Sequence, residues 1–335
     1  MFFSITTADE PLLEQYARFR NGNFLYLDEG WVKVDNHTGV EFRKGYSTEF
    51  ELIDIPLDKQ YAGNYCIIKE GEIFHDNCRA FPLFYGEQIS NLRPSENQQW
   101  IAPDITDISD KLDMGDITDM CSAYLADQVS GFRKYNGDFV IPRSGGIDSL
   151  TLEAVSGNEA TNEERVISDS PLSEYAQQHY WGYRQLASNY PVVGTGYCGD
   201  EFLMRNPMYT NWYLRFHGID LLAEYGKVPG TYMEGFIKHR YAAKIQQDNE
   251  VFMDEASLAY HMMSHILNDY QMWHLDDVIT FTPFRSNYLA YLMLKMRPED
   301  ALAQVTDGKL QKSIINHFNP GLLGTLSPNK NNVLP

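Results

Sequence analysis

The feature that most constrains the fold is a glycine-containing loop between an apolar run and a predicted helix. Phe139-Val140-Ile141 has the composition of a buried strand, and residues 150 to 155 have that of a helix. Between them lies Ser144-Gly145-Gly146-Ile147-Asp148-Ser149. A strand that leads through such a loop into a helix directs backbone N–H groups and the positive end of the helix dipole toward one point. The sequence therefore predicts an anion site with a phosphate ligand.

Each polar residue of this loop has an expected role in that site. Gly145 and Gly146 would let the backbone approach a phosphate closely, and the hydroxyls of Ser144 and Ser149 could donate hydrogen bonds. A carboxylate such as Asp148 belongs beside phosphates chiefly when it holds Mg²⁺ between them. The alternative is a tight glycine turn with a Ser or Asp cap, which occurs in many folds.

A second loop follows a second apolar run. Pro191-Val192-Val193-Gly194 leads into the stretch Thr195 to Glu201. The two loops are expected to lie at the carboxyl ends of neighbouring parallel strands, where α/β proteins commonly bind ligands.

The first third of the chain has a different sequence pattern, in which turn residues separate short apolar runs. Aromatic and β-branched residues dominate these runs, which predicts a mainly antiparallel β domain. The runs are Phe24 to Leu27, Trp31 to Val34, Asn64 to Ile68, Glu72 to Phe74 and Pro82 to Tyr85.

Three units are predicted along the chain: a β-rich domain over 1–110, an α/β domain over 111–326, and a flexible tail over 327–335. A polar linker containing Pro94 and Pro103 ends the first unit. A helix opens the second, because apolar residues recur there at steps of three and four: Ile117, Met120, Cys121, Tyr124, Leu125, Val129 and Phe132. Residues 211 to 323 are predicted to be mostly helical.

Composition excludes several classes of partner. With 27 basic and 46 acidic residues, the formal charge of −19 repels nucleic acid and anionic lipid. The first residues lack a basic, apolar signal, and no window has the roughly 20 apolar residues that cross a bilayer. We expect a cytoplasmic protein without nucleic-acid or membrane partners. Four scattered cysteines predict reduced thiols.

Four segments together resemble the asparagine synthetase family, which includes β-lactam synthetases and lasso-peptide cyclases. The stretch from Ser144 to Ser149 resembles its pyrophosphate-binding loop. The stretch from Thr195 to Glu201 resembles its second loop, and Thr282-Pro283-Phe284-Arg285 resembles a segment that lines the site. Lys312-Ser313-Ile314-Ile315-Asn316-His317 resembles a helix whose lysine assists adenylation.

This resemblance implies a Rossmann-like PP-loop domain that converts a carboxylate to an acyl-adenylate with Mg-ATP and releases pyrophosphate. An amine then attacks to form an amide. Asp148 and Asp200 would bind Mg²⁺, and Gly196 and Gly199 would join the first loop in binding ATP. A lysine would offset charge at the α-phosphorus. Lys312 is the first candidate for that lysine and Lys309 the second.

The β-rich domain resembles the class II glutamine amidotransferase domain that precedes the synthetase domain in this family. Residues 62–68 and 82–85 carry this resemblance. The nucleophile there is the cysteine left after Met removal, whereas position 2 here is Phe2. We therefore expect no glutamine hydrolysis by that route. The expected substrates are a small-molecule or peptide carboxylate with ammonia or an amine.

Two departures from the family pattern leave a second hypothesis open. Tyr197 stands where the family has a glutamate, so the sequence does not predict aspartate as the substrate. Asp148 and Asp200 are only 52 positions apart. Within this interval, Arg165 to Ser170 is the one candidate strand for binding adenosine. The alternative is a non-catalytic binding or structural protein that retains the synthetase fold. The sequence also leaves open whether the chain forms a homodimer.

Overall fold

The structure of the protein is a computed structural model. It describes residues 3–6, 17–21, 23–27, 31–36, 39–54, 61, 63–70, 72–75, 84–85, 89–90, 99–100, 110–143, 146–160, 192–221, 223, 254–255, 257–258 and 279–326.

The first part of the chain forms two antiparallel sheets. The six-stranded sheet has the order β10-β8-β9-β1-β3-β2, and the four-stranded sheet has the order β4-β5-β6-β7. The strands are β1 (Phe3–Thr6), β2 (Ala17–Asn21), β3 (Asn23–Leu27), β4 (Val32–Asn36), β5 (Gly39–Ser47), β6 (Gly63–Lys69), β7 (Glu72–His75), β8 (Phe84–Tyr85), β9 (Ile89–Ser90) and β10 (Gln99–Trp100). The antiparallel β character predicted for this region is confirmed.

The two sheets share an apolar core. Leu25 and Leu27 of β3 pack with Phe42 of β5 and with Cys66 and Ile68 of β6. These side chains lie two residues apart on β3 and on β6, as expected when one face of a strand is buried. Burial of this face joins the two sheets, and the Cys66 side chain is fully buried within it.

The sequence analysis missed β5, the longest strand described in this region. Charged residues interrupt its apolar pattern, so it does not alternate as an ordinary half-buried strand does. Glu41 and Arg43 are nevertheless buried, and the Arg43 guanidinium pairs with the Glu41 carboxylate. Lys69 on the neighbouring strand adds a contact of 3.3 Å to Glu41. Mutual neutralisation therefore explains how these charges occupy buried positions.

Helices dominate the described part of the second region. They are α1 (Met114–Asn136), α2 (Ile147–Ser156), α3 (Gly199–Phe202), α4 (Pro207–Phe216), α5 (Asn287–Lys295), α6 (Pro298–Asp307) and α7 (Lys309–Phe318), with 3₁₀ turns at Leu52–Asp54 and Pro320–Thr325. The predicted face of α1 is confirmed: all seven of its periodic apolar residues are buried or packed against the main core. Asp113 caps α1 by accepting hydrogen bonds from the N–H groups of Gly115 and Asp116.

Three extended segments run parallel beside these helices. Val140 forms a parallel bridge with Val193 on β11 (Val192–Gly194), and β11 pairs in parallel with β12 (Ile279–Phe281). The parallel arrangement expected for the first two segments is confirmed. The sequence analysis missed β12, which interrupts the region predicted to be mostly helical. Its three residues are too short a run to stand out from helical surroundings.

The four-stranded sheet packs against the helical region through the end of β5. The Tyr46 ring lies edge-on to Phe132 of α1 and to Phe281 of β12, with centroid distances of 4.9 and 5.7 Å. Asn136 donates a 2.7 Å hydrogen bond to the Ser47 carbonyl. Gly131 approaches the Thr48 carbonyl so closely that a Cβ atom would lie 2.0 Å from its oxygen. These contacts cross the predicted domain boundary near residue 110.

Several predictions fall outside the described residues. They concern most of the proline-containing linker, the candidate strand over 165–170 and the tail over 327–335. Within the described residues, no helix is both long and apolar enough to cross a membrane.

The contact at Gly131 generates a test of how the two regions pack. Gly131→Ala is expected to lower the free energy of unfolding by about 2 kcal/mol, because the added methyl group must push α1 away from the backbone of Thr48. Urea denaturation measures this change. Gly324→Ala is the control, since a Cβ atom there meets nothing within 4 Å. A stabilisation of about 1 kcal/mol, as in an unobstructed helix, would contradict the packing described.

Candidate functional site

The first loop leads directly into α2, which begins earlier than the composition predicted. Gly146 is the N-terminal residue before the helix and supplies no side-chain cap. Asp148 and Ser149 therefore lie in the first turn of α2 rather than in the loop. Ser144 and Gly145, predicted to bind phosphate, lie outside the described residues.

The second loop lies directly on this first turn. A Cβ atom added at Gly196 would be 2.4 Å from the Ser149 nitrogen and 2.6 Å from the Asp148 carbonyl carbon. One added at Gly199 would be 2.6 to 2.7 Å from three atoms of the Asp148 side chain. Only residues without a side chain allow this approach. Two of the glycines predicted to bind ATP thus have a structural role in bringing the two loops together.

The backbone of the second loop places Asp200 at this contact. Thr195 continues from β11 and donates its N–H to the Phe281 carbonyl of β12 over 2.9 Å. Cys198 takes a left-handed conformation with φ of 66°, and the short helix α3 begins at the next residue. The Asp200 carbonyl accepts hydrogen bonds from the N–H groups of Arg205 and Asn206, at 2.8 and 2.7 Å. The segment therefore folds back on itself and presents Asp200 near Asp148.

Asp148 has protein partners at both carboxylate oxygens. Arg205 Nη2 lies 2.5 Å from Oδ2, and Gln311 Nε2 donates to Oδ1 over 2.9 Å. Burial raises the pKa of Asp148, and the nearby charge of Asp200 raises it further, whereas Arg205 and Gln311 oppose the shift. Asp148 therefore combines a buried position, a like charge beside it and a guanidinium that compensates it.

A chain of amides connects Asp148 to neighbouring helices. Gln311 on α7 accepts a hydrogen bond from Gln304 Nε2 on α6, and the same amide nitrogen donates to the Leu203 carbonyl over 2.7 Å. Gln304 Oε1 accepts from the Leu310 N–H at 2.7 Å. Both glutamine side chains are fully buried, and their amides serve as donor and acceptor at once. These bonds fix the direction from which Gln311 approaches Asp148.

The sequence analysis missed Arg205, Gln304 and Gln311. Helical spacing gives no signal for the glutamines, because Gln304 lies on α6 and Gln311 on α7, and Gly308 separates the two helices. No signal marks Arg205 either, because its role depends on how the second loop folds back.

Glu201, next to Asp200, is half-buried and lies near the negative charges of Asp200 and Asp148. Burial raises its pKa well above the ordinary value of 4.5, and both the charge of Asp200 and a hydrogen bond with the Asp200 side chain add to this shift. Asn206 Nδ2 donates to Glu201 Oε1 at 3.3 Å. A protonated Glu201 would donate to Asp200, which reduces the repulsion between the two carboxyl groups.

A small pocket opens on the other side of Arg205. It is lined by Ile147, Arg205, Val305, Thr306, Asp307, Gly308 and Lys312. Its space is about 10 Å³, enough for one water molecule. Lys312 pairs with Asp307 at its rim over 2.6 Å. Lys309, the other predicted catalytic lysine, is exposed at the start of α7 and does not line this pocket.

The predicted segment Thr282-Pro283-Phe284-Arg285 follows β12 and is entirely buried. The Thr282 N–H donates a 3.0 Å hydrogen bond to the Tyr46 hydroxyl of β5. This segment is the third loop at the carboxyl ends of the parallel segments. Tyr46 of the four-stranded sheet therefore holds it in place.

Asp148 and Asp200, the predicted Mg²⁺ ligands, could bind a divalent cation only together with further ligands. Among the described residues, no group of three or more His, Cys, Asp or Glu side chains could hold a metal ion. Two neighbouring carboxylates match the manner in which Mg²⁺ is commonly bound, with substrate phosphates and water completing its shell. Asp148 and Asp200 can therefore contribute to such a site but cannot form it alone.

Comparisons with known proteins do not assign the chain to a group. No protein-family model matches the sequence, and a search of the curated proteins also returned no match.

The close approach of the second loop generates a prediction about stability. Gly196→Ala is expected to lower the free energy of unfolding by about 2 kcal/mol, because its methyl group would overlap the backbone of α2. Chemical denaturation measures the difference. Gly324→Ala serves as the control, since a Cβ atom there meets nothing within 4 Å. Equal midpoints for both variants would show that the loops do not touch as described.

Glu201 generates a prediction about pH. A carboxyl group with a raised pKa binds its proton more tightly in the folded state. Its stabilising contribution is complete below pH 4.5 and is lost as pH rises through the folded-state pKa. Glu201→Gln keeps the shape and does not titrate, so its stability relative to wild type should increase from pH 4.5 upward.

Denaturation at a series of pH values without divalent cations measures this difference. Glu159→Gln, at an exposed position, is the control and should parallel wild type. If the free energies of unfolding of Glu201→Gln and wild type differed by the same amount at all pH values, the raised pKa assigned to Glu201 would be refuted.

Proposed function

We propose that the protein is an ATP- and Mg²⁺-dependent ligase that activates a carboxylate as an acyl-adenylate, releases pyrophosphate and forms an amide with ammonia or an amine. The observation that carries this proposal is the contact of Gly196 and Gly199 with the first turn of α2. It brings Asp148 and Asp200 together where two neighbouring parallel segments end. Adjacent carboxylates beside a helix N-terminus suit a metal-bound polyphosphate.

Each residue near this contact has a role in the proposal. The N-terminal turn of α2 binds the polyphosphate, together with Ser144 and Gly145 of the preceding loop. Asp148 and Asp200 hold Mg²⁺, which neutralises the phosphate oxygens and orients the leaving pyrophosphate. Lys312 offsets charge at the α-phosphorus. Its position on the pocket that also contains Arg205 supports its choice over Lys309.

The proposal includes a fold relationship. A Rossmann-like PP-loop domain of the asparagine synthetase type is supported by the three parallel segments and by the loops that follow them. A degenerate amidotransferase-like domain is supported by two antiparallel sheets that share one core.

A second candidate function is favoured by one observation. Both oxygens of Asp148 already bind protein side chains, and the adjoining pocket has room for only one water molecule. A non-catalytic binding or structural protein would have this arrangement permanently. Such a protein would bind no Mg-ATP in calorimetry, either as ATP or as its non-hydrolysable α,β analogue.

The products of turnover test the first proposal. Purified protein with Mg-ATP and a panel of carboxylates and amines should release AMP and pyrophosphate in equal amounts, dependent on the carboxylate. Chromatography of nucleotides and a coupled pyrophosphate assay measure both products. Release of ADP and phosphate, or no release with any pair of substrates, contradicts adenylation.

Lysine variants test the assignment of roles. Lys312→Gln should lower kcat by about 100-fold, because a charge near the transition state is lost. Lys309→Gln is the matched control on the same helix and should retain near wild-type turnover. Equal losses in both variants, or a loss confined to Lys309→Gln, would overturn the assignment of Lys312.

A further inference from the structure

Arg205 occupies a position between the acidic contact and the pocket. Its guanidinium lies 2.5 Å from Asp148 Oδ2, and both side chains are mostly buried. The same arginine lines the pocket with Lys312 and the N-terminal residue of α2, Ile147. The charged side chain of Arg205 therefore contacts the predicted metal ligand and also borders the pocket.

Arg205 has an anchored backbone, and its side chain contacts Asp148 and also lines the pocket. Its N–H donates to the Asp200 carbonyl over 2.8 Å, which anchors the residue beside the second predicted metal ligand. Gly308 lies beside the side chain of Arg205, and a Cβ atom there would make an ordinary van der Waals contact with Arg205 Cδ at 3.6 Å.

Charge decides which place the guanidinium prefers. A buried carboxylate needs a nearby positive charge, and Arg205 supplies it to Asp148. A divalent cation on Asp148 and Asp200 would supply that charge instead and would repel the guanidinium. An anion bound in the pocket would give Arg205 a new partner, beside the Asp307 carboxylate that pairs with Lys312. Because this pocket has about 10 Å³ of space, a phosphate group fits only after a lining side chain moves.

We propose that Arg205 is an exchangeable counter-charge that pairs with Asp148 in the absence of a divalent cation and binds a polyphosphate when the cation takes its place. This inference rests on the proposed function for the identity of the two ligands. It assigns Arg205 as a positioning residue whose movement couples the cation to the anion.

The inference predicts effects of opposite sign on two ligands. Arg205→Gln removes the competitor for Asp148, so Mn²⁺ alone should bind about tenfold more tightly. Inorganic pyrophosphate, measured with Mn²⁺ at a concentration that saturates both proteins, should bind about tenfold more weakly to Arg205→Gln, since the guanidinium that binds it is lost. Calorimetry measures both affinities, and competition by ATP shows whether the pyrophosphate site accepts a nucleotide.

Two further variants separate this role from a structural one. Arg215→Gln, at an exposed position on α4, should leave both affinities unchanged. Arg205→Lys keeps the positive charge and should retain pyrophosphate binding within a few-fold, which also provides a test if Arg205→Gln does not fold. A purely structural role for Arg205 would weaken both ligands in Arg205→Gln together with its thermal midpoint, and that result overturns the inference.

The possible failures are distinguishable. If wild type forms AMP and pyrophosphate but the affinities do not shift in opposite directions in Arg205→Gln, the inference fails and the proposed function stands. If the opposite shifts occur but no substrate pair yields AMP, the exchange stands and the proposed ligase activity fails. If wild type binds neither Mn²⁺ nor pyrophosphate, both fail.

Discussion

The contact between the second loop and the first turn of α2 is the constraint on which the rest of the site depends. Gly196 and Gly199 lie so close to Asp148 and Ser149 that any side chain would force the two segments apart. This spacing requires β11 and the segment containing Val140 to be neighbours, as their parallel bridge shows. The pairing of the parallel segments, the position of α2 and the proximity of the two carboxylates therefore all depend on the same contact.

This contact places the negative charges of Asp148 and Asp200 in a poorly solvated position. The surrounding residues compensate for these charges. Arg205 supplies a full positive charge, and buried glutamines supply fixed amide dipoles. Unpaired polar groups at such depth would each cost about 1–3 kcal/mol, so the network is needed for the carboxylates to remain there. The amides have little freedom to reorient, because each is held at two points. Arg205 differs from them because it lines the small pocket.

Local sequence patterns predict part of the fold, whereas features that depend on tertiary contacts cannot be predicted from them. The face of α1 follows from apolar spacing, and the two valine-rich runs indicate buried strands. The strand β5 could not be identified, because Glu41 and Arg43 are buried only as a pair. For the site, the two loops could be located from their glycines and aspartates. Arg205 could not, because its partner is 57 residues away.

The hydrogen bond between Thr282 and Tyr46 has a consequence for how the molecule assembles. It joins residues 236 positions apart, and β12 pairs with β11 across 87 positions, from Val192 to Ile279. Closing such intervals costs chain entropy before the contact gives any return, so these contacts are expected to form late. During synthesis, the sheets and α1 emerge long before residue 282. The third loop of the site can therefore take its final position only when nearly the whole chain has been made.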